Sequence, residues 1–373
     1  MKVSIANIWK NALLVASSIV FFLVLAELAL RWGGFESRPT RFGCPHPVLR
    51  AIYCPKASAT FTRGPYEYTP LINAEGFYDH DYPRVKTPGT ERIAVLGDSF
   101  AESLYLPLAE RFDGIWEARL PAYVHHPVEV INFSVGGNGT WDQWQIYHLI
   151  TQQYRPDWVV LPFFLGNDVK DNIERLLEGN PNPLRNEYDT DSFKKRFKMV
   201  KSGFNDWLWN HFLLYQLLRE ESTRIRGYFH WSRRPDFMKT PVATTPHTIV
   251  TDTRSTYDDV FFWDSAGWSL TRELLRGFQE EVTRQGGQLV VIDFPSLEQV
   301  GAQPALPLEE FHHFLDSLHI PHQGLYDLYA AMEASDRTAQ FIPEDGHWTR
   351  RGHRDVALAT LPFLADLLRA SGR

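Results

Sequence analysis

From residue 92 onward, short apolar runs alternate with stretches of helical spacing, and this alternation leaves few folds open. RIAVLG (92–97), VEVINFS (128–134), DWVVLPFFLG (157–166) and QLVVIDF (288–294) read as strands. Between and after them, LAERFDGIWEARL (108–120) places Leu108, Phe112, Ile115, Trp116 and Leu120 on one helical face. WDQWQIYHLITQQY (141–154) reads as a second helix, and TRELLRGFQEEVTRQGG (271–287) as another that stops at Gly286 and Gly287. GHRDVALATLPFLADLLRAS (352–371) reads as a closing amphipathic helix. Strands that are apolar along their whole length must be covered on both faces. The pattern therefore predicts a three-layer α/β/α domain with a mostly parallel central sheet. In such sheets ligands bind beyond the carboxyl ends of the strands, so the residues just after each strand are the ones to inspect.

The 373 residues are 44% hydrophobic and 14% aromatic, enough to bury a large core. A formal charge of -7 gives no overall cationic surface for phosphate backbones, so no nucleic-acid partner is expected. No double C-x-x-C, H-E-x-x-H or G-x-x-x-x-G-K-[ST] pattern occurs, and the glycines of VGGNGT do not fit a dinucleotide fingerprint. Neither a metal nor a cofactor is expected.

The first 33 residues form a separate element. Lys2 and Lys10 precede a stretch without charge from Asn11 to Ala26, and counting to Leu30 gives about 20 residues, or roughly 30 Å of helix. Such a helix, taken through residues 11–30, spans a bilayer as an uncleaved anchor. The basic start places the N-terminus in the cytoplasm and the bulk of the chain outside the cytoplasmic membrane. A cleaved signal peptide is the rival reading, and it exports the domain equally. In an exported chain the two cysteines, Cys44 and Cys54, suggest a disulfide closing a short loop.

Residues 34–91 are rich in Pro, Gly and Tyr and read as a linker and extension leaning on the main domain, 92–373. Within that domain residues 171–262 interrupt the alternation. This insertion carries SFKKRFKMVKSGFNDWLWNHFLLYQLLREE, read as a helix packed on the domain or as a basic, Trp-containing helix near the membrane surface.

Four short blocks carry candidate chemistry. Gly97-Asp98-Ser99-Phe100 follows the first strand, NFSVGGNGT (132–140) the second, and LGNDVKDN (165–172) the third. FIPEDGHWTRRGHRDVA (341–357) precedes the closing helix and brings His347 after Glu344 and Asp345. A carboxylate can orient an imidazole through one nitrogen while the other accepts a proton from a serine. The sequons at Asn132 and Asn138 lie inside the second block and are read as chance.

These four blocks, in this order, resemble the SGNH (GDSL-type) hydrolase superfamily, over residues 92–373 with the insertion set aside. The resemblance implies Ser99 as nucleophile and His347 as general base. It implies an oxyanion hole from the N–H of Ser99, Gly137 and the side-chain amide of Asn167, with Gly136 and Gly139 as neighbours that an alignment slip would substitute. Many relatives place the acid three residues before the histidine, which is Glu344 here. Others acting on polysaccharide acyl groups use two, which selects Asp345, with Glu344 as runner-up. Asp316 and His319 also fit D-x-x-H but lie away from the closing helix and read as a decoy. The resemblance implies a serine esterase acting on a small acyl ester or an O-acylated carbohydrate or lipid. Membrane-tethered relatives point instead to acyl transfer onto an exported polysaccharide, with a multi-spanning membrane acyltransferase as partner. A non-catalytic scaffold with the same fold is the third possibility.

Overall fold

The structure is a computed structural model that describes residues 5–33, 42–44, 49, 52–177, 208, 212, 214–215 and 260–371. Most of the insertion read at 171–262 lies outside the described residues. The chain divides into two compact units: residues 1–42 with 191–248, and residues 43–190 with 249–373.

In the first unit, helix α1 (Ile5–Trp32) contains a 20-residue stretch, Leu13–Trp32, with mean hydropathy 2.5, long and apolar enough to cross a membrane. Glu27 is the acidic residue within that stretch. It is buried, accepting one hydrogen bond from Arg31 Nε at 2.9 Å and one from the Leu214 N–H at 2.9 Å.

The second unit is built on five strands: β1 (Glu91–Val95), β2 (Val128–Asn132), β3 (Trp158–Phe164), β4 (Gln288–Phe294) and β5 (His322–Gly324). They lie in the order β2-β1-β3-β4-β5 and every neighbouring pair is parallel. Period-two alternation explains the two covered faces. Ile93, Val95, Val130, Val160, Val290 and Ile292 join one apolar cluster, with helices α3 (Phe112–Val124) and, at the C-terminus, Arg350–Ala370. Ala94, Leu96, Val159, Leu161, Phe163, Leu289 and Val291 point to the other face. That face is covered by α4 (Thr140–Leu149), α6 (Ala266–Arg284) and α7 (Leu308–Ser317). Sheet and helices thus form the expected three-layer α/β/α fold.

Helix α5 (Asp168–Leu177) follows β3 and runs seven residues into the segment read as the insertion. Its Asn172 Nδ2 donates to Thr140 Oγ1 at 3.2 Å and to Thr271 Oγ1 at 2.9 Å, joining α4, α5 and α6. Gly267 allows this close approach, since a Cβ there would lie 2.7 Å from Val169 Cγ1. The C-terminal helix, α8 (Arg350–Ala370), is capped by Thr349, whose hydroxyl accepts from the Gly352 N–H.

The described part of residues 34–91 is built into this unit. Phe77 is fully buried and meets Phe133 edge-on at 5.2 Å, and Ile72 is buried beside it in sequence. Gly43–Cys44 pairs with Ile52–Tyr53, and Phe61–Arg63 forms a hairpin with Tyr66–Tyr68. Cys54 is disulfide-bonded, and the chain's one other cysteine is Cys44.

Candidate active site

The strand order places the site. The chain runs from β1 outward to β2 and then crosses back to β3 on the other side of β1, so the connections leave the sheet in opposite directions and open a crevice at the carboxyl ends. Ser99 follows β1, Gly137 follows β2 and Asn167 follows β3.

Ser99 is the first residue of a short helix, α2 (Ser99–Glu102), and is half-buried between buried neighbours. Asp98 caps that helix by accepting the Phe100 N–H at 2.9 Å. Ser99 Oγ lies 2.7 Å from His347 Nε2, and His347 Nδ1 lies 2.8 Å from Asp345 Oδ1. The same carboxylate oxygen accepts the His347 backbone N–H at 3.2 Å. With the Nδ1 proton directed at Asp345, Nε2 is left as the acceptor facing the serine hydroxyl. The imidazole stacks on Phe100, ring centres 4.6 Å apart. Burial, followed by the Arg63 guanidinium, pulls the His347 pKa below its ordinary 6.5. Hydrolysis that uses this base should therefore rise with pH in the acid range and reach its plateau with an apparent pKa under 6.5, read from kcat/KM between pH 4 and 9. An acid limb above 6.5 would contradict this reading of the pocket.

The turn around residue 344 decides which carboxylate meets the imidazole. Glu344 and Gly346 both have left-handed backbones, with φ of 62° and 83°, and between them Asp345 faces back toward the ring. Among the described contacts, His347 pairs with Asp345 and not with Glu344. Asp316 and His319 belong to the turn that ends α7, where the His319 N–H donates to the Asp316 carbonyl at 2.9 Å.

On the oxyanion side three glycines differ in what their surroundings leave available. The Gly136 N–H is donated to Glu102 Oε1 at 2.7 Å, and a Cβ built on Gly136 would lie 3.5 Å from Ser99 Cβ. Gly139 caps α4, and a Cβ there would lie 2.7 Å from Asn172 Oδ1. Gly137, between them, has φ of 75° and is half-exposed. Asn167 lies close enough to Asp98 to offset part of the effect of burial on its carboxyl, so the first and third blocks meet. Its Oδ1 is buried without a hydrogen-bond partner.

Beneath these residues lies a set of buried carboxyls. Burial raises Asp98 to about 6, and burial with repulsion from Asp98 raises Asp168 well above its ordinary value. Asp168 Oδ2 accepts the Phe164 N–H at 2.9 Å. Glu102 accepts from Tyr53 Oη as well as from Gly136, and burial pushes its pKa up to about 8.

A second serine–histidine contact lies nearby. Ser103 Oγ is 2.8 Å from His353 Nε2, and both residues are fully enclosed. The Phe112 N–H points at His353 Nδ1 at 3.4 Å, so Nε2 carries the proton and donates to Ser103, which donates onward to the Phe100 carbonyl at 2.8 Å. With no free acceptor nitrogen and no access, this pair fastens α2 to α8.

Sequence reasoning singled out Ser99, Gly137, Asn167, Asp345 and His347, and the structure brings all five to one end of the sheet. It missed Arg63, whose Nε lies 3.6 Å from Asp345 Oδ2, and Glu102. No family model and no curated protein matches the sequence. Among solved structures, a lipase/acylhydrolase from Enterococcus faecalis is 12% identical, with a TM-score of 0.40, over 74% of this chain and 96% of that one. An acetylxylan esterase from Geobacillus stearothermophilus is 11% identical, with a TM-score of 0.38, over 73% and 93%. A psychrotrophic esterase from a Pseudoalteromonas species is 10% identical, with a TM-score of 0.39, over 74% and 98%. What the site can do follows from its own atoms.

Proposed function

We propose that this chain is a serine ester hydrolase that forms an acyl-serine on Ser99 and removes O-acyl groups, acetyl foremost, from a carbohydrate or lipid outside the cytoplasm. The observation that carries the reading is the unbroken run Ser99 Oγ–His347–Asp345, at 2.7 and 2.8 Å, at the carboxyl end of the sheet.

Ser99 Oγ attacks the ester carbonyl carbon as its proton passes to His347 Nε2. The carbonyl oxygen becomes an oxyanion, met by the N–H groups of Ser99 and Gly137 and by the Asn167 amide. Asp345 stabilises the imidazolium through Nδ1. Collapse breaks the bond to the alcohol, which leaves with the proton from Nε2. Water then gives a proton to Nε2, attacks the acyl carbon, and the acid departs as Ser99 regains its hydrogen. Donors on strand ends hold their positions before charge develops, so little reorganisation is needed. Asn167→Ala is expected to lower kcat on a small acyl ester by about 10²–10³-fold with little change in KM. A loss under about threefold would remove Asn167 from the oxyanion hole.

The anchor favours a second acceptor. Among the described residues one helix, near the N-terminus, is long and apolar enough to cross a membrane; as an anchor it would hold the domain beside that membrane, with an exported polysaccharide and a membrane acyltransferase partner within reach. A sugar hydroxyl then replaces water at the acyl-serine, and the same residues perform transfer. Incubating an acetylated donor with oligosaccharide separates the outcomes: acetyl-sugar accumulates in transfer, and free acetate alone in hydrolysis. The proposed location is a single-pass protein of the cytoplasmic membrane with its domain outside, supported by Lys2, Lys10 and the Cys54 disulfide. A reporter active only after export, fused behind residue 373, should be active; an inactive fusion would reverse the topology.

A further inference from the structure

Residues 61–68, at the heart of what the sequence presents as a linker, are fixed against the catalytic loop at three points. The hairpin pairs Arg63 with Tyr66 across a two-residue Gly64-Pro65 turn. Gly64, with φ of 54°, is wedged where a Cβ would lie 2.4 Å from Ile342 Cγ2. Tyr66 Oη accepts the Arg350 N–H at 3.1 Å, just beyond His347 and Trp348. Arg63 lies with its guanidinium 5.4 Å over the Tyr105 ring, and its Nε is 3.6 Å from Asp345 Oδ2.

The two oxygens of Asp345 thus have different partners: Oδ1 takes the His347 ring and backbone N–H groups, and Oδ2 faces Arg63. We propose that Arg63 is a positioning residue for the proposed esterase: by holding Asp345 Oδ2 it fixes Oδ1 on His347 and keeps the imidazole in its unprotonated, proton-accepting form at neutral pH. The inference rests on the ester-hydrolase reading for its catalytic consequence, while the electrostatic contact itself does not.

Magnitudes favour this role over a stabilising one. The Arg63 and Asp345 side chains are 33% and 32% exposed, and an ion pair at that exposure adds little to folding stability. A cation beside the carboxylate that steadies an imidazolium nevertheless weakens that support directly and opposes the imidazolium's own charge. The groups facing His347 are Asp345 from its own loop, Ser99 and Phe100 from α2, Arg63 from the hairpin and the neutral, buried His353 from α8. Arg63 is the one fixed cation in this set, and it acts in the same direction as burial.

The sign of the effect follows. Replacing Arg63 by a neutral residue raises the proton affinity of His347, so activity is lost at acid pH first. With Arg63→Gln or Arg63→Leu in the full chain in detergent, kcat/KM on a small acyl ester at pH 5 is expected to fall about three- to tenfold further than at pH 9. Arg63→Lys should stay near the parent profile. Raising the salt concentration should move the acid limb of the parent upward and leave that of Arg63→Gln in place. In parallel, the His347 imidazole is titrated by NMR of histidine-labelled protein, assigned by the signal lost in His347→Gln. Its midpoint should rise in both neutral variants. An unchanged midpoint, or a uniform loss of rate at every pH, overturns the proposal. So does failure of both neutral variants to fold, which would make Arg63 a residue of hairpin stability. If the parent's turnover proves independent of Ser99, the esterase reading fails, and the NMR midpoint still decides whether Arg63 acts on His347.

Discussion

Replacing Ser99 or His347 with alanine is expected to reduce turnover of a small acyl ester by at least about 10³-fold, with the double replacement no worse than the more damaging single one. The non-additivity is the informative part. Serine and imidazole act as one unit, joined by the 2.7 Å contact between Oγ and Nε2, so once either is gone the other has nothing left to contribute. Ser99 is half-buried and opens its short helix, while the cap contact belongs to Asp98, so the fold should survive both changes, as read by circular dichroism and thermal melting. Asp345→Asn should cost less than either, since the residual rate then depends on how well the ring holds its tautomer. Parent-level turnover in Ser99→Ala or His347→Ala would leave the scaffold reading standing.

The second large effect concerns the support beneath the site. Arg111 is 1% exposed; it pairs with Asp113, also donates to the Tyr78 carbonyl at 2.7 Å and to the Glu102 carbonyl at 3.2 Å, and stacks on the Tyr78 ring. Asp113 accepts from Asn132 Nδ2 at 2.9 Å and Asp79 accepts the Asn132 N–H at 2.6 Å, and the Arg111 charge, paired with Asp113, also favours the ionised form of Asp79. Arg111→Leu strands both, and breaking such a buried pair costs about 3–5 kcal/mol. For a unit of this size the melting temperature should fall by roughly 10 °C. Arg111→Leu combined with Asp113→Leu should recover part of that loss, because a buried carboxylate without a partner is worse than an apolar side chain. A single variant within about 1 kcal/mol of the parent would show that the network does not support the site.

The fold was legible because the chemistry that builds it is periodic. Ile93 and Val95 face one helical layer and Ala94 and Leu96 the other, so an uninterrupted apolar run already implies a sheet covered twice. Ser99 and His347 were legible as candidates because each stands at an element end, where polar residues interrupt the pattern. The resemblance favoured Asp345 and kept Glu344 as runner-up, and the backbone supplies the physical reason: a φ of 62° at residue 344 turns the chain so that the later carboxylate meets the ring. Arg63 escaped notice because a three-residue hairpin arm is too short to show periodicity, although FTRGPYEY carries a turn of Gly-Pro between alternating residues. Glu102 escaped for a different reason. A carboxyl in a short helix reads as a solvated charge, and its burial is set by Tyr53 and Gly136, which are 49 and 34 residues away in the chain.

The central claim is that Ser99 becomes acylated, and covalent trapping tests it most directly. The full chain in detergent is incubated with an activated phosphonate ester, which mimics the tetrahedral intermediate and stays on the attacking oxygen, and its peptides are then weighed by mass spectrometry. The account predicts one adduct, on the peptide carrying Ser99, absent in Ser99→Ala and formed far more slowly in His347→Ala. An adduct on any other residue, or equal labelling of parent and Ser99→Ala, would contradict it.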